Sequence, residues 1–179
     1  MKAVIQRVTN ASVTVDGKIT GAIDLGLLVY LGVAAKDSEK DAQWMAEKAA
    51  NLRIFNDSED KMNLSLLDLL DAAEKAGPGA KGAAPGEKEG GQIEGALPGV
   101  SIGVLAVSQF TLLADARKGR RPYYGDAADP EKAKYLYEYF MDKIREQGLA
   151  CEAGVFQAMM EVSYTNQGPV TIILDSGEI

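Results

Sequence analysis

Thr165-Asn166-Gln167-Gly168-Pro169-Val170-Thr171-Ile172-Ile173-Leu174-Asp175 is the stretch on which the fold turns. Its β-branched, apolar run from Val170 to Leu174 predicts a buried strand. A Gly-Pro step stands immediately before that run. Proline has no backbone donor and is confined to strand edges and first residues. X-Pro bonds are also the common place for a cis peptide. Two readings stand at this point: an ordinary turn into a strand, or a stiff corner that holds two carbonyls in a fixed direction. Counting back from the corner, Cys151 to Leu174 reads as two strands joined there.

Upstream of that tail, Asp129-Pro130-Glu131 opens a helix with proline at its first position. The helix carries Ala133, Leu136, Tyr137, Phe140, Met141 and Ile144 on one face and ends before Gly148. At the other end of the chain, residues 2–15 alternate, with Ala3, Ile5, Val13 and Val15 on one parity and a break near Thr9-Asn10. Asp16-Gly17 is a strong two-residue hairpin signal, and the chain returns through Ile19 to Ile23. Leu25 to Ala35 reads as a central strand buried on both faces. Ser38 with Asp41 has the form of a capping box, and Ala42, Met45, Ala46 and Ala49 follow at helical spacing to about Leu52. Arg53-Ile54-Phe55 suggests a short strand, followed by a turn over 56–60. Val100 to Leu113 is again strand-like. The order implies an α+β domain, a curved and largely antiparallel sheet with two covering helices.

Between these elements, residues 72–99 change character. Of the 28 residues, 18 are Ala, Gly or Pro, and only Ile93 and Leu97 are sizeable apolar side chains. Such a segment buries too little surface to offset its ordering entropy. It reads as a flexible surface insertion in a single domain spanning 1–179.

Composition narrows the chemistry. The chain has 179 residues, 46% of them apolar, enough for a substantial core. The glycine-interrupted run at 25–35 is too short to span a bilayer, and no signal peptide is expected from Met1 to Arg7. A single cysteine, Cys151, forbids an internal disulfide, so a cytoplasmic setting is expected. There is no histidine. Ser-His-Asp and Cys-His arrangements, and any His-bearing metal site, are therefore excluded within one chain. A hydrolase built from this sequence must use carboxylates, lysine, backbone amides or groups of its substrate. The net charge of −7 disfavours broad nucleic-acid affinity. One local patch, Arg117-Lys118-Gly119-Arg120-Arg121 followed by Pro122-Tyr123-Tyr124, is either a solvated charge run or a phosphate-contacting loop with aromatic stacking. Ser108-Gln109-Phe110-Thr111 offers hydroxyls, an amide and closely spaced backbone N–H groups. No base is evident beside Ser108 or Thr111, so the motif is either strand hydroxyls satisfying local hydrogen bonds or an oxyanion hole built from Gln109 and backbone N–H groups, rather than a nucleophile.

The opening Met1-Lys2-Ala3-Val4-Ile5-Gln6-Arg7-Val8, Ser108-Gln109-Phe110-Thr111-Leu112, the 117–122 basic loop, Gly154-Val155-Phe156 and Asn166-Gln167-Gly168-Pro169-Val170-Thr171 together resemble the D-aminoacyl-tRNA deacylase (D-tyrosyl-tRNA deacylase) family. The resemblance runs along the chain apart from 72–99. It implies a barrel-like core and a cytoplasmic homodimer that hydrolyses the ester linking a D-amino acid to the 3′-terminal adenosine of tRNA, with leakage toward glycyl-tRNA. It implies no metal, no other cofactor, no DNA and no membrane partner. Gly168-Pro169 is then cis and enters the partner subunit's site, where its carbonyls exclude an L side chain. Such a filter works by repulsion from atoms that cannot move. Ser108, Gln109, Phe110 and Thr111 line the catalytic pocket with Arg7 nearby, and Arg117, Lys118, Arg120 and Arg121 are candidate tRNA contacts. Two mechanisms are compatible: Thr111 as nucleophile, or backbone amides near Gln109 and Phe110 polarising the carbonyl while the substrate's 2′-hydroxyl assists a water. The lack of histidine favours the second. The family commonly has Asp where this chain has Gln167. The rival functions are an RNA-binding domain without turnover and an esterase indifferent to tRNA.

Overall fold

The computed structural model describes residues 1–76 and 101–178. Its organising element is β1 (Lys2–Val15), a long strand that serves three neighbours. Asp16 and Gly17 take positive φ (49° and 74°), as a tight two-residue hairpin turn demands. They return the chain into β2 (Lys18–Ile23), which pairs with the second half of β1. β3 (Gly26–Gly32) pairs antiparallel with the first half, from Lys2 opposite Gly32 to Val8 opposite Gly26. After α1 (Glu39–Asn51), the short strands β4 (Phe55–Asn56) and β5 (Met62–Leu64) form a separate small sheet. α2 (Leu66–Ala76) follows, then β6 (Gly103–Ser108), α3 (Pro130–Glu146), β7 (Ala150–Ala153) and β8 (Glu161–Asp175).

β8 runs antiparallel along the edge of β1 opposite to β2 and β3. β6 is parallel to β3, and β7 is parallel to β6. The α+β, largely antiparallel expectation therefore holds with two parallel pairings added. Each is made by a crossover that carries a helix, which is how parallel neighbours are joined. The sheet curls almost into a barrel, because β2 comes back against β7. At that seam the backbones nearly touch: a Cβ built on Gly21 would lie 2.5 Å from the carbonyl oxygen of Ala153.

The break read near Thr9-Asn10 is a β-bulge. β1 pairs through Val8 with Asn166 and next through Asn10 with Thr165, so two residues of β1 oppose one of β8. The extra residue reverses the facing of the strand. Ala3 and Ile5 join the core beneath the helices, with Leu27, Val29, Val104 and Phe140, whereas Val13 packs with Val8, Leu28 and Leu105 inside the curl of the sheet. Four residues of one sequence parity thus serve two cores.

α1 begins at the capping box of Ser38 and Asp41, and α3 at Asp129, whose carboxylate accepts from the N–H groups of Glu131 and Lys132. Both sit where the spacing predicts. The expectation of two covering helices is corrected to three by α2. Ser65 and Asp68 cap α2 reciprocally, with the Asp68 carboxylate 2.8 Å from the Ser65 N–H and the Ser65 hydroxyl 3.2 Å from the Asp68 N–H. Leu66 and Leu69 are buried in the same core as α1. Residues 72–76 close this helix, and the rest of the insertion read at 72–99 lies outside the described residues. The Met1 ammonium is buried against Asp37 (2.8 Å) and bonds the Ser176 hydroxyl, tying both ends of the described chain to the start of α1. Among the described residues no helix is long and apolar enough to cross a membrane.

Candidate active site and its filter

The Gly-Pro corner does not join two strands as expected; it interrupts one. β8 pairs with β1 on both sides of it, Glu161 to Asn166 with the second half and Thr171 to Asp175 with the first. Between Asn166 opposite Val8 and Thr171 opposite Gln6, β1 advances by two residues and β8 by five, so Gln167, Gly168, Pro169 and Val170 bulge out of the ladder. The Gly168-Pro169 bond is cis, and Gly168 has φ of +119°, a region that L side chains rarely enter. Both residues are exposed.

The excursion is braced at its base. Asn166 reaches across it, its Oδ1 accepting from the Val170 N–H (3.1 Å) and its Nδ2 donating to the Thr171 hydroxyl (3.1 Å). From beneath, Arg7 spreads its guanidinium over three acceptors: the Gln167 carbonyl (3.3 Å), the Ile54 carbonyl (2.6 Å) and Asn56 Oδ1 (3.0 Å). Arg7 is 7% exposed, and its bond to Ile54 is buried while those to Gln167 and Asn56 are part-buried. Burial lowers the guanidinium's pKa from its ordinary value, and the nearby Asp60 carboxylate acts in the opposite direction. Arginine remains charged under such shifts. Asn56, Ile54 and Asn166 were missed in the sequence reading. The Asn-x-Gly-Pro spacing was the available signal for Asn166; nothing local marks Ile54 or Asn56.

The other motif is at the far end of the sheet. β6 stops at Ser108, and Phe110–Leu113 form a 3-10 turn where the sequence suggests continued strand. The Gln109 N–H donates to the Leu31 carbonyl (2.8 Å), which ends the ladder and turns the chain. The Gln109 side-chain amide donates to the Thr111 hydroxyl. Phe110 and Thr111 are exposed, and Ser108 and Gln109 are half-buried. The N–H groups of Phe110 and Thr111 open the 3-10 turn, where a helix has donors with no intrahelical partner.

Within one chain these two motifs are apart. Ser108 pairs with Leu31, which pairs with Ala3, whereas Arg7 pairs with Leu27. Four residues of β1 separate the levels, about 13 Å at the rise of an extended strand, and β1 and β3 lie between β8 and β6. Arg7 accordingly belongs with Gly168 and Pro169, not with Ser108 to Thr111. The basic loop lies beside the 3-10 turn. Arg117, Lys118, Arg120 and Arg121 are all exposed. Arg117 is held by the Asp115 carboxylate (2.6 Å), which raises the guanidinium's pKa and holds the carboxyl well below its usual range.

Residues 4–73 and 85–175 match the family described as D-Tyr-tRNA(Tyr) deacylase. The chain belongs to that family. It is similar to D-aminoacyl-tRNA deacylases of Koribacter versatilis, 52% identical over 98% of this chain and 97% of the relative, and of Fervidobacterium nodosum, 45% identical over 100% and 99%. Among solved structures, a protein described as a c-Myc DNA unwinding element binding protein superposes with a TM-score of 0.74 at 34% identity, over 98% of this chain and 99% of the other. A probable eukaryotic D-amino acid tRNA deacylase shares the fold, with a TM-score of 0.67 at 16% identity over 97% of each chain. The curated relatives align over nearly the whole length, and the family match breaks between 73 and 85, inside the segment 72–99 that the sequence sets apart.

Proposed function

We infer that this member of the family hydrolyses the ester bond of D-aminoacyl-tRNA, releasing a free D-amino acid and tRNA with an intact 3′ end. The observation that carries the reading is the near-full-length likeness to curated D-aminoacyl-tRNA deacylases. Water adds to the ester carbonyl, the tetrahedral intermediate collapses, and the ribose oxygen leaves with a proton. Ser108, Gln109, Phe110 and Thr111 line the pocket for this step, with backbone N–H groups at the start of the 3-10 turn stabilising the oxyanion. Thr111 is not the nucleophile. Its hydroxyl receives a hydrogen bond from the Gln109 amide, a donor that cannot take up a proton. The substrate's own 2′-hydroxyl is the group that assists the attacking water.

The enzyme works as a cytoplasmic homodimer, and Gly168-Pro169 of one subunit completes the site of the other. Support comes from the separation of the two motifs within a chain, from the exposure of the corner, and from the largely exposed β8, on which Ile173 is 74% exposed. An exposed long strand is a surface that asks for a partner. Arg7 holds the corner still, so that the Cβ of an L residue meets fixed carbonyls, while achiral glycine passes; glycyl-tRNA is therefore a second substrate. Arg117, Lys118, Arg120 and Arg121 contact tRNA phosphates. The deciding measurement is hydrolysis of matched D- and L-tyrosyl-tRNA. Loss of the D ester alone is expected; cleavage of neither would leave an RNA-binding domain, and equal cleavage of both would remove the filter.

A further inference from the structure

Three aromatic rings stand in solvent beside the basic loop, and the proposed chemistry uses neither Tyr123 nor Tyr124. Phe110 is 58% exposed, Tyr123 67% and Tyr124 37%. Phe110 meets Tyr124 edge to face, with centroids 5.2 Å apart and planes at 63°. Tyr123 lies back across Gly125, so closely that a Cβ on that glycine would collide with the phenol. The loop that carries the rings is built. Asp115 and Tyr123 exchange both backbone hydrogen bonds (2.8 and 2.9 Å), closing 115–123 as a hairpin with the four cations in its span. The Tyr124 carbonyl accepts from the Ala127 N–H (3.1 Å), and the Thr111 carbonyl accepts from the Ala114 N–H (3.1 Å), which closes the turn that bears Phe110 one residue before the hairpin begins. Asp115 engages Arg117 through its backbone and its guanidinium. Lys118, Arg120 and Arg121 have no ion-pair partner among the described residues.

Exposed rings beside unneutralised cations, on a chain of net charge −7, form the two halves of a site for unpaired nucleotides: π faces for bases and positive charge for the phosphates between them. We propose that Tyr123 and Tyr124, backed by Phe110, are a stacking ledge for the single-stranded bases that precede the terminal adenosine of the RNA, with the Arg117–Arg121 hairpin holding their phosphates. This rests on the reading of the substrate as a 3′-aminoacyl ester of RNA. The ledge recognises the unpaired state of the 3′ tail and is indifferent to its sequence, because every base has a π face.

The test uses full-length protein and two labelled RNA hairpins, one with a single-stranded 3′ tail and one blunt, followed by anisotropy. Wild type binds the tailed hairpin more tightly. Tyr123→Ala and Tyr124→Ala each weaken the tailed complex about tenfold, the scale of one lost base stack, and leave the blunt complex unchanged; Tyr123→Phe and Tyr124→Phe, which keep the ring and guard against a folding artefact, retain the preference. In turnover, the alanine variants raise KM for D-tyrosyl-tRNA and keep kcat on D-tyrosyl-adenosine, which has no tail to stack. Equal wild-type affinity for both hairpins, or alanine variants that keep the tail preference, would overturn the ledge. A tail preference abolished by the alanine variants, in a protein that cleaves neither ester, would support the ledge and sink the deacylase reading alone.

Discussion

The guanidinium of Arg7 donates to the carbonyl oxygen of Gln167 across 160 residues of chain, 3.3 Å from Nε to O, while Nη1 holds Ile54 of the neighbouring segment at 2.6 Å. One side chain therefore couples the Gly-Pro excursion to the loop below it. Lysine presents a point charge and cannot span this fork. Arg7→Lys is expected to lower stability by about 1.5–3 kcal/mol, the scale of hydrogen bonds to a charged group, and to narrow the D-over-L preference. Urea melts and paired deacylation assays check this; an unaltered preference would separate Arg7 from the filter.

Gly168 is a position in the excursion where a side chain cannot be added without movement. At φ of +119° a Cβ would lie 2.9 Å from Val170 Cγ2 and 3.1 Å from Arg7 Nη2. Gly168→Ala should cost about 1–3 kcal/mol for the strained backbone and displace the arginine. The expected kinetic result is reduced D-ester hydrolysis with L-ester hydrolysis rising toward it. Wild-type rates on both esters would show that the excursion tolerates a shift and is not the selective part.

Thr111→Ala separates the two mechanisms. If the 2′-hydroxyl assists the water, the variant stays within about tenfold of wild type, against losses on the order of 10⁶ when an obligatory nucleophile is removed. A companion substrate whose terminal ribose lacks the 2′-hydroxyl should be cleaved poorly by both proteins. Full inactivity of a folded Thr111→Ala would restore the threonine as the attacking group.

Alkaline pH should weaken the fold. Burial pushes the Cys151 thiol up to about 12, and burial together with Tyr164 pushes the Tyr30 phenol up to about 12, from ordinary values of 9.0 and 10.0. Both groups are neutral in the folded chain and ionise earlier once it unfolds. Their contribution is whole below about pH 9 and is lost as pH climbs toward 12. Thermal melts from pH 8 to 11 should show a falling Tm, with a shallower fall in Tyr30→Phe above pH 10. Identical slopes in the two proteins would remove Tyr30 from the account. Under native conditions Cys151 should also resist alkylation until the protein unfolds.

Much of this was legible because local chemistry agreed with global placement. Asp16-Gly17, Ser38 with Asp41, and Asp129-Pro130 each name a boundary with a mechanism, and each is where the structure puts it. Ser65 with Asp68 is the same signal, but the helix it opens runs directly into an Ala/Gly/Pro tract. Other features were beyond local reading. The facing of Val13 depends on a bulge whose partner lies some 150 residues away, so parity alone assigns it wrongly. The parallel neighbours β3 and β6 are a consequence of which crossover the helices make. The site divides similarly: the residue types of Ser108 to Thr111 and Gly168-Pro169 announce themselves, whereas the three-way grip of Arg7 is a long-range fact with no sequence signature.

The four-residue excursion at 167–170 is bracketed by ladders on both sides, and that imposes a rule about chain length. A residue gained or lost between Asn166 and Thr171 must be absorbed within those four positions, or else passed into β8. Passing it on would shift every pair from Thr171 to Asp175 by one and turn Ile172 and Leu174, which pack against the core, out to where Ile173 now stands. The family match breaks between 73 and 85, whereas 167–170 lie inside its second stretch, 85–175. Length is therefore tightly fixed at the excursion, where both flanks are tied to β1. The tip of the excursion owes its fixed reach to the strand that holds it as much as to the proline within it.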